Sequence, residues 1–230
     1  IRGIYVYNAY RISDEEVRFY FHQSAENTDN LIYKNGEDWQ SVTTQCVCPL
    51  STIVSQCSIE AHLGIAQIDN VTNILRLTTS RGSEEQSIDI IDVRPSSSRI
   101  LPYYKYQYPH LLGVCIQPIY YYADWTVLIQ FFEFWIASGV TKFYIYEHSV
   151  TPQVKTILSY YSSLLGDNVT MIPWSDLPVR EMDRGNFFTD PNTRMFRGGA
   201  YAAINDCLLR ARWEVKYVAM LDIDEILHTD

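Results

Sequence analysis

Polar and apolar positions change rhythm near the middle of the chain. Up to about residue 93 they fall in short β-type runs. Residues 17–21 alternate around charged and polar positions, residues 41–47 are rich in β-branched side chains, and runs at 59–68, 73–79 and 87–93 follow. Turn chemistry separates them at Asn35-Gly36, Asp69-Asn70 and Arg81-Gly82-Ser83. Short strands at this spacing predict a small β-sandwich or barrel over residues 1–93, an accessory or stem domain. Residues 94–110 are dense in proline, serine and tyrosine, the composition of a linker or extended strap.

From residue 111 the pattern becomes strand, helix, strand, helix. An apolar strand at 112–119 precedes a helix opened by Asp124. That helix carries Trp125, Leu128, Ile129, Phe132 and Ile136 at helical spacing and ends at Gly139. Phe131, Phe134 and Trp135 make it apolar nearly all round, which predicts deep burial. A strand at 142–146 leads to a second helix, capped by Thr151-Pro152, with Val154, Ile157, Leu158, Tyr161 and Leu165 on one face. A third strand at 169–172, a long polar loop, a third helix at 200–212 and a fourth strand at 217–221 complete the order. For the third helix the predicted stripe is Ile204, Cys207, Leu208 and Ala211. Such alternation predicts a mainly parallel sheet with helices on both faces, and ligands of such sheets bind beyond the carboxyl ends of the strands. Four segments should meet at that edge: residues 117–122, 147–149, 173–176 and 222–225.

The last of these is Asp222-Ile223-Asp224-Glu225. In extended backbone Asp222 and Asp224 share a side while Ile223 faces the core. Like charges this close repel, and a divalent cation shared with a diphosphate relieves the repulsion. Asp222 and Asp224 are therefore the candidate metal ligands, against the plainer reading of a solvated strand end whose acids cap a turn. Glu147 and His148, with Ser149, end the second strand, where they could bond a base or ribose or simply form a polar turn. Asn205 and Asp206 join the donor-binding candidates, although Asp206 could equally pair with Arg210 four residues on, worth only ~0.3–0.5 kcal/mol at a surface. Arg194 and Arg197 read as a solvated face with diphosphate contact as the alternative, and His110 reads as structural.

Bulk composition narrows the partners. A net charge of −9 argues against nucleic acid, whose phosphates are met by clustered Lys and Arg, but not against a nucleotide diphosphate bridged by a cation. The 18 tyrosines suit sugar-binding clefts, and β-rich domains use them as heavily. None of the 5 cysteines forms a C-x-x-C pair, so zinc has little support; Cys46, Cys48 and Cys57 lie close enough for one disulfide. Sequons at Asn70 and Asn168 fit N-glycosylation in a lumenal compartment. The chain starts at Ile1 without Met or signal peptide and stops just past a strand, so a longer natural protein is expected in both directions.

Residues 113–228 resemble glycosyltransferase family 92. The matching stretches are Cys115-Ile116-Gln117-Pro118 followed by an aromatic, Trp125 early in its helix, residues 139–146, Pro173-Trp174, Asn205-Asp206-Cys207-Leu208, and Leu221 to Glu225. The resemblance implies a fold of GT-A type. The expected architecture is thus α/β: a partial GT-A-like, Rossmann-type parallel sheet over residues 111–230, preceded by a small all-β domain. It also implies a UDP-sugar donor, usually UDP-galactose, with Mn²⁺ and inversion at the anomeric carbon. The acceptor would be a glycan hydroxyl, on fucose or galactose. By position, Asp222 and Asp224 would be the donor-metal motif, and Pro118, Tyr120 and Tyr121 would line the nucleotide pocket. The family's catalytic base would lie beyond Asp230. The implied setting is the Golgi lumen, in a type II membrane protein whose anchor is absent from this chain.

Three other readings compete. A catalytically silent relative that binds glycan or nucleotide would be expected to lose the acidic motif, which is intact. A hydrolase using Asp224 and Glu225 fits poorly, because adjacent strand residues point apart. A dinucleotide-dependent dehydrogenase is excluded by the lack of G-x-G-x-x-G after the first α/β strand.

Overall fold

The computed structural model describes residues 3–25, 27–47, 58–82, 84–95, 100–101, 105–195 and 199–226. The chain divides into two compact units, Ile1–Arg94 with Leu177–Leu209, and Pro95–Asp176 with Arg210–Asp230.

The first unit is built on eight strands: β1 (Ile4–Arg11), β2 (Glu16–Ser24), β3 (Leu31–Asn35), β4 (Asp38–Ser41), β5 (Thr43–Cys46), β6 (Ile59–Gln67), β7 (Ile74–Thr79) and β8 (Gln86–Asp92). Their order is β4-β3-β7-β8-β1-β2-β6-β5. All pairings are antiparallel except the parallel contact of β1 with β8. Gly36 (φ 61°) starts the two-residue link from β3 to β4, a hairpin position that needs a positive φ. The sheet curls until it is nearly closed. Although β3 and β6 stand far apart in the strand order, the amide of Gln67 donates to the Tyr33 hydroxyl at 3.1 Å. Inside the curl Val17, Phe19, Phe21, Leu31, Leu75 and Leu77 form one core.

Helix α3 (Ala200–Ala211) belongs to this unit as far as Leu209. Leu209 packs with Tyr10, Ile12 and Tyr20, whereas Leu208, assigned by periodicity to the buried stripe, is 45% exposed. The helix is rotated from its expected setting because Asp206 is turned inward. Its carboxylate accepts the Tyr10 hydroxyl (2.5 Å) and the Asn8 amide (2.9 Å), both from β1.

The second unit holds a two-stranded ribbon, β9 (Ile100–Leu101) with β10 (Lys105–Tyr106), and a four-stranded sheet. That sheet comprises β11 (His110–Ile119), β12 (Lys142–Glu147), β13 (Val169–Pro173) and β14 (Val215–Leu221), ordered β13-β12-β11-β14 and parallel throughout. Helix α1 (Trp125–Ala137) starts where the Asp124 carboxylate accepts the amides of Thr126 and Val127, and Gly139 follows it with φ 86°. Helix α2 (Pro152–Leu165) starts with Thr151 as cap and Pro152 in its first turn. Phe132 of α1 stacks on Tyr161 of α2 at 4.1 Å and meets Phe143 of β12 at 5.2 Å. Leu128, Val154 and Leu158 fill the same core. Each such side chain contributes about 1.5–3 kcal/mol by leaving water.

These findings correct the expected fold class. The molecule is mostly strand: fourteen strands against three α-helices among the described residues. It is not a small all-β domain leading into a Rossmann-type domain, since the eight-stranded mixed sheet is the larger of the sheets. The helix between β13 and β14 is mostly counted with that mixed sheet and not with the parallel one. Periodicity could not reveal this, because the partners that bury Asp206 lie nearly two hundred residues away in sequence.

Candidate functional site

All four parallel strands point the same way, so their carboxyl ends share one edge. At the end of β12, His148 Nε2 donates to Asp176 Oδ1 at 3.0 Å. His148 Nδ1 lies 3.0 Å from the Ser149 hydroxyl oxygen. Ser149 Oγ in turn accepts the amide of Tyr121 at 2.8 Å. One chain of hydrogen bonds thus ties the ends of β11, β12 and the segment after β13.

The Tyr120 ring lies 4.4 Å from the His148 ring. Burial pushes its phenol up to about 12, only partly offset by the Trp174 indole bonding to the phenol oxygen. Tyr120 is therefore a neutral hydrogen-bonding group at any physiological pH. Tyr121 is its opposite: its φ is 46°, unusual for a residue with a Cβ, and its side chain is 86% exposed. The backbone of Tyr122 is clamped on both sides, its N–H donating to Ser149 O and its carbonyl accepting from Thr151 N. Tyr121 is thereby held with its ring projected into solvent at the strand ends.

The acidic motif follows β14, whose last residue Leu221 pairs with Ile116. Ile223 is buried in the second unit's core, while Asp222, Asp224 and Glu225 are exposed. Ile223 anchors a turn in which its two neighbours, Asp222 and Asp224, are exposed to solvent. Two bonds close the turn, Glu225 N to Asp222 O and Asp222 N to Glu225 Oε2, both 3.1 Å. The Tyr122 phenol is raised first by burial and then by the carboxylates of Asp124 and Asp224, so the field of the acidic turn reaches the end of β11.

Among the described residues no group of three or more His, Cys, Asp or Glu side chains is arranged to hold a metal ion. Asp222 and Asp224 present carboxylate oxygens, the donor type that hydrated divalent cations take. They do not make an all-protein cage.

The remaining candidates are dispersed. Pro118 is buried where the β11–β12 register is irregular, a place suited to a residue without an N–H. Glu147 pairs with Lys155 at 3.1 Å, and its carbonyl accepts the Trp174 amide. Asn205 donates to the carbonyl of Tyr201, and Asp206 is 1% exposed; both are counted with the first unit. Arg194 bonds Ser58 Oγ and Phe188 O, and His110 Nδ1 lies 3.0 Å from Thr141 Oγ1. Cys46, Cys115 and Cys207 are disulfide-bonded. Arg197, Cys48 and Cys57 lie outside the described residues. Sequence reasoning left Asp176 and Trp174 without roles, although both fall in a segment it assigned to this edge. The available signal was a polar-aromatic cluster directly after a strand.

The exposed carboxylates and the aromatic-histidine cluster thus lie at the carboxyl edge of a parallel sheet, where ligands of such sheets bind. A family model described as glycosyltransferase family 92 matches residues 110–230, and the chain belongs to that family. One Caenorhabditis elegans protein of the same family is 25% identical over 179 residues, covering 77% of this chain and 31% of its own length. A β-1,4-galactosyltransferase of that organism is 26% identical, covering 66% of this chain and 33% of its own. The chain thus spans about a third of the length of these relatives. Among solved structures, an amylomaltase from Corynebacterium glutamicum superposes over 63% of this chain and 21% of its own with 14% identity and a TM-score of 0.24, too loose to bear on the fold. No helix among the described residues is long and apolar enough to cross a membrane.

Proposed function

We propose that this chain carries the donor-binding portion of a metal-dependent glycosyltransferase that moves a hexose from a UDP-sugar to a glycan hydroxyl. The observation that carries the reading is the turn at Asp222 to Glu225, anchored by Ile223 with Asp222 and Asp224 exposed at the carboxyl edge of a parallel sheet. Family membership supports the transferase class. Galactose as the sugar, fucose or galactose as the acceptor, and a Golgi-lumenal protein glycosylated at Asn70 and Asn168 belong to the same proposal. The galactose assignment is supported by the relative named a β-1,4-galactosyltransferase.

Asp222 and Asp224 would hold Mn²⁺ or another divalent cation, whose chemistry is to neutralise charge on the departing diphosphate. The exposed Tyr121 ring offers a face on which a uracil ring stacks. His148, oriented by Asp176, and Glu147 would hold the ribose. Transfer with inversion breaks the bond from the anomeric carbon to the diphosphate oxygen and forms one to the acceptor oxygen; the acceptor proton goes to a general base. Glu225 is turned back on the Asp222 amide and serves the turn.

Calorimetric titration of UDP and UDP-galactose with and without Mn²⁺ tests the reading. Binding that needs Mn²⁺ and disappears in Asp224→Ala is the expected result. Equal binding with and without the metal, or by the variant, would overturn it; a silent relative would bind nucleotide without transferring sugar.

A further inference from the structure

The curled sheet of the first unit contains an anomaly that the donor reading does not use. Along β2 and β6 the core face runs through the facing pairs Val17 and Ala66, Phe19 and Gly64, Phe21 and His62, then Gln23 and Glu60. One end of this face is apolar and belongs to the core. The other end places an amide, an imidazole and a carboxylate where strand alternation calls for apolar side chains. All three are only partly buried, the Glu60 side chain being 37% exposed, so a ligand can reach them from solvent.

A cleft of about 400 Å³ opens at that end. Its wall includes Gln23, Glu60 and His62 from the core face, Thr44 from β5, Ser41 from β4, and residues Asn27 to Asn30 from the loop before β3. The loop is built rather than loose. Gln23 Nε2 donates to Asn27 O at 2.8 Å, Asp29 N to Asn27 Oδ1 at 2.9 Å, and Ser80 N to Asn30 O at 2.9 Å. Volume and position match ligand sites in the mouths of curled sheets, which span roughly 300–1,000 Å³.

The wall's chemistry selects the ligand class. Amides, hydroxyls and two carboxylates stand together, so donors and acceptors are interleaved, as vicinal hydroxyls require. Among the described lining residues there is no Lys or Arg, and the acids are Asp29 and Glu60. His62 lies 3.8 Å from Glu60, but its burial opposes a positive charge. Arg81 pairs with Asp29 at 2.8 Å and donates to Thr28 Oγ1, so Glu60 is the acid that chiefly disfavours phosphate and carboxylate here. Among the lining residues no Phe, Tyr or Trp offers a face to a nucleobase. The geometry points to a binding site for a neutral saccharide in the β-sheet unit, separate from the donor edge and independent of the donor reading.

Saturation-transfer NMR on the 230-residue chain, with methyl glycosides of galactose, mannose, fucose and N-acetylglucosamine as probes and glucose 6-phosphate as the anionic control, tests this. At least one glycoside should bind with a Kd of about 1–10 mM. EDTA and Asp224→Ala should leave that binding unchanged. Glu60→Gln, which keeps the shape, and Thr44→Trp, which fills the cleft, should each weaken it by about tenfold or more. The proposal is overturned if no glycoside binds protein that melts normally, if binding survives both variants, or if glucose 6-phosphate binds as well. UDP with Mn²⁺ reads only the donor edge, so either site can fail without the other.

Discussion

The two units each gather polar side chains at one end of a sheet, but they do so in different ways. At the carboxyl edge of the parallel sheet the polar groups satisfy one another, His148 with Asp176 and Ser149 with Tyr121, and the carboxylates of Asp222 and Asp224 are exposed. In the curled sheet, Gln23, His62 and Glu60 occupy register positions that continue an apolar core. Within the first arrangement only the acidic turn is contiguous in sequence; its His148–Asp176 and Ser149–Tyr121 bonds, like the whole of the second, exist only once strands have paired. A site written in contiguous residues can be read before folding; one written across a register cannot.

Removing the contiguous motif should have the largest effect. Asp224→Ala should lower Mn²⁺-dependent UDP affinity by about a hundredfold, or about 3 kcal/mol, measured by calorimetry. The melting temperature should stay within a degree or two, because Asp224 is exposed and its neighbour Ile223 does the anchoring. A variant that lost binding and stability together would mean that the acids hold the turn instead of a ligand.

Acid titration examines the curled sheet alone. His22 is buried against the Tyr7 ring, and its Nδ1 has no hydrogen-bond partner among the described residues. Burial, then the neighbouring His62, lowers its pKa to about 4 from 6.5. The unfolded chain therefore binds more protons than the folded one between those values. Stability should be complete above pH 6.5 and decline as pH falls toward 4, by up to about 3 kcal/mol. Urea melts across that window should show a shallower slope for His22→Phe, which keeps the ring contact. An unchanged slope would assign the acid sensitivity to other groups.

Packing inside the same curl gives a smaller effect. A Cβ on Gly64 would lie 2.4 Å from the Phe19 ring, at the step just before the core face turns polar. Gly64→Ala should destabilise by about 1–3 kcal/mol in urea melts, through overpacking that Phe19 cannot escape. A Phe19→Leu background should recover part of that loss.

How much was legible follows the same division. Helix α1 could be read from its Asp124 cap and apolar spacing, and the acidic segment from three carboxylates after an apolar strand, although its turn at Ile223 and Asp224 was only the alternative to extended backbone. Neither needs a distant partner to be recognised. The orientation of α3 could not be read, because Tyr10 and Asn8 bury Asp206 and so turn Leu208 outward. The extent of the curled sheet was equally hidden: β3 and β6 look like ordinary short strands until Gln67 meets Tyr33. At the candidate site, His148 stood out by residue type, but Asp176 became its partner only once β12 and β13 lay side by side.

That pair yields the smallest predicted effect and the finest test of whether the carboxyl edge is organised for binding. His148 and Asp176 are 3.0 Å apart, but the carboxylate is half exposed, so solvent screens the attraction. A double-mutant cycle of His148→Gln and Asp176→Asn on folding stability should give a coupling of about 0.5 kcal/mol or less. Repeated on UDP affinity in the presence of Mn²⁺, the cycle should give a larger coupling, about 1 kcal/mol. An imidazole held by its carboxylate meets a ribose in one orientation, and a loose one loses that advantage. If the two couplings were equal, the pair would merely tie strand ends together. If coupling appears only in binding, the carboxyl edge is set for a ligand before the ligand arrives.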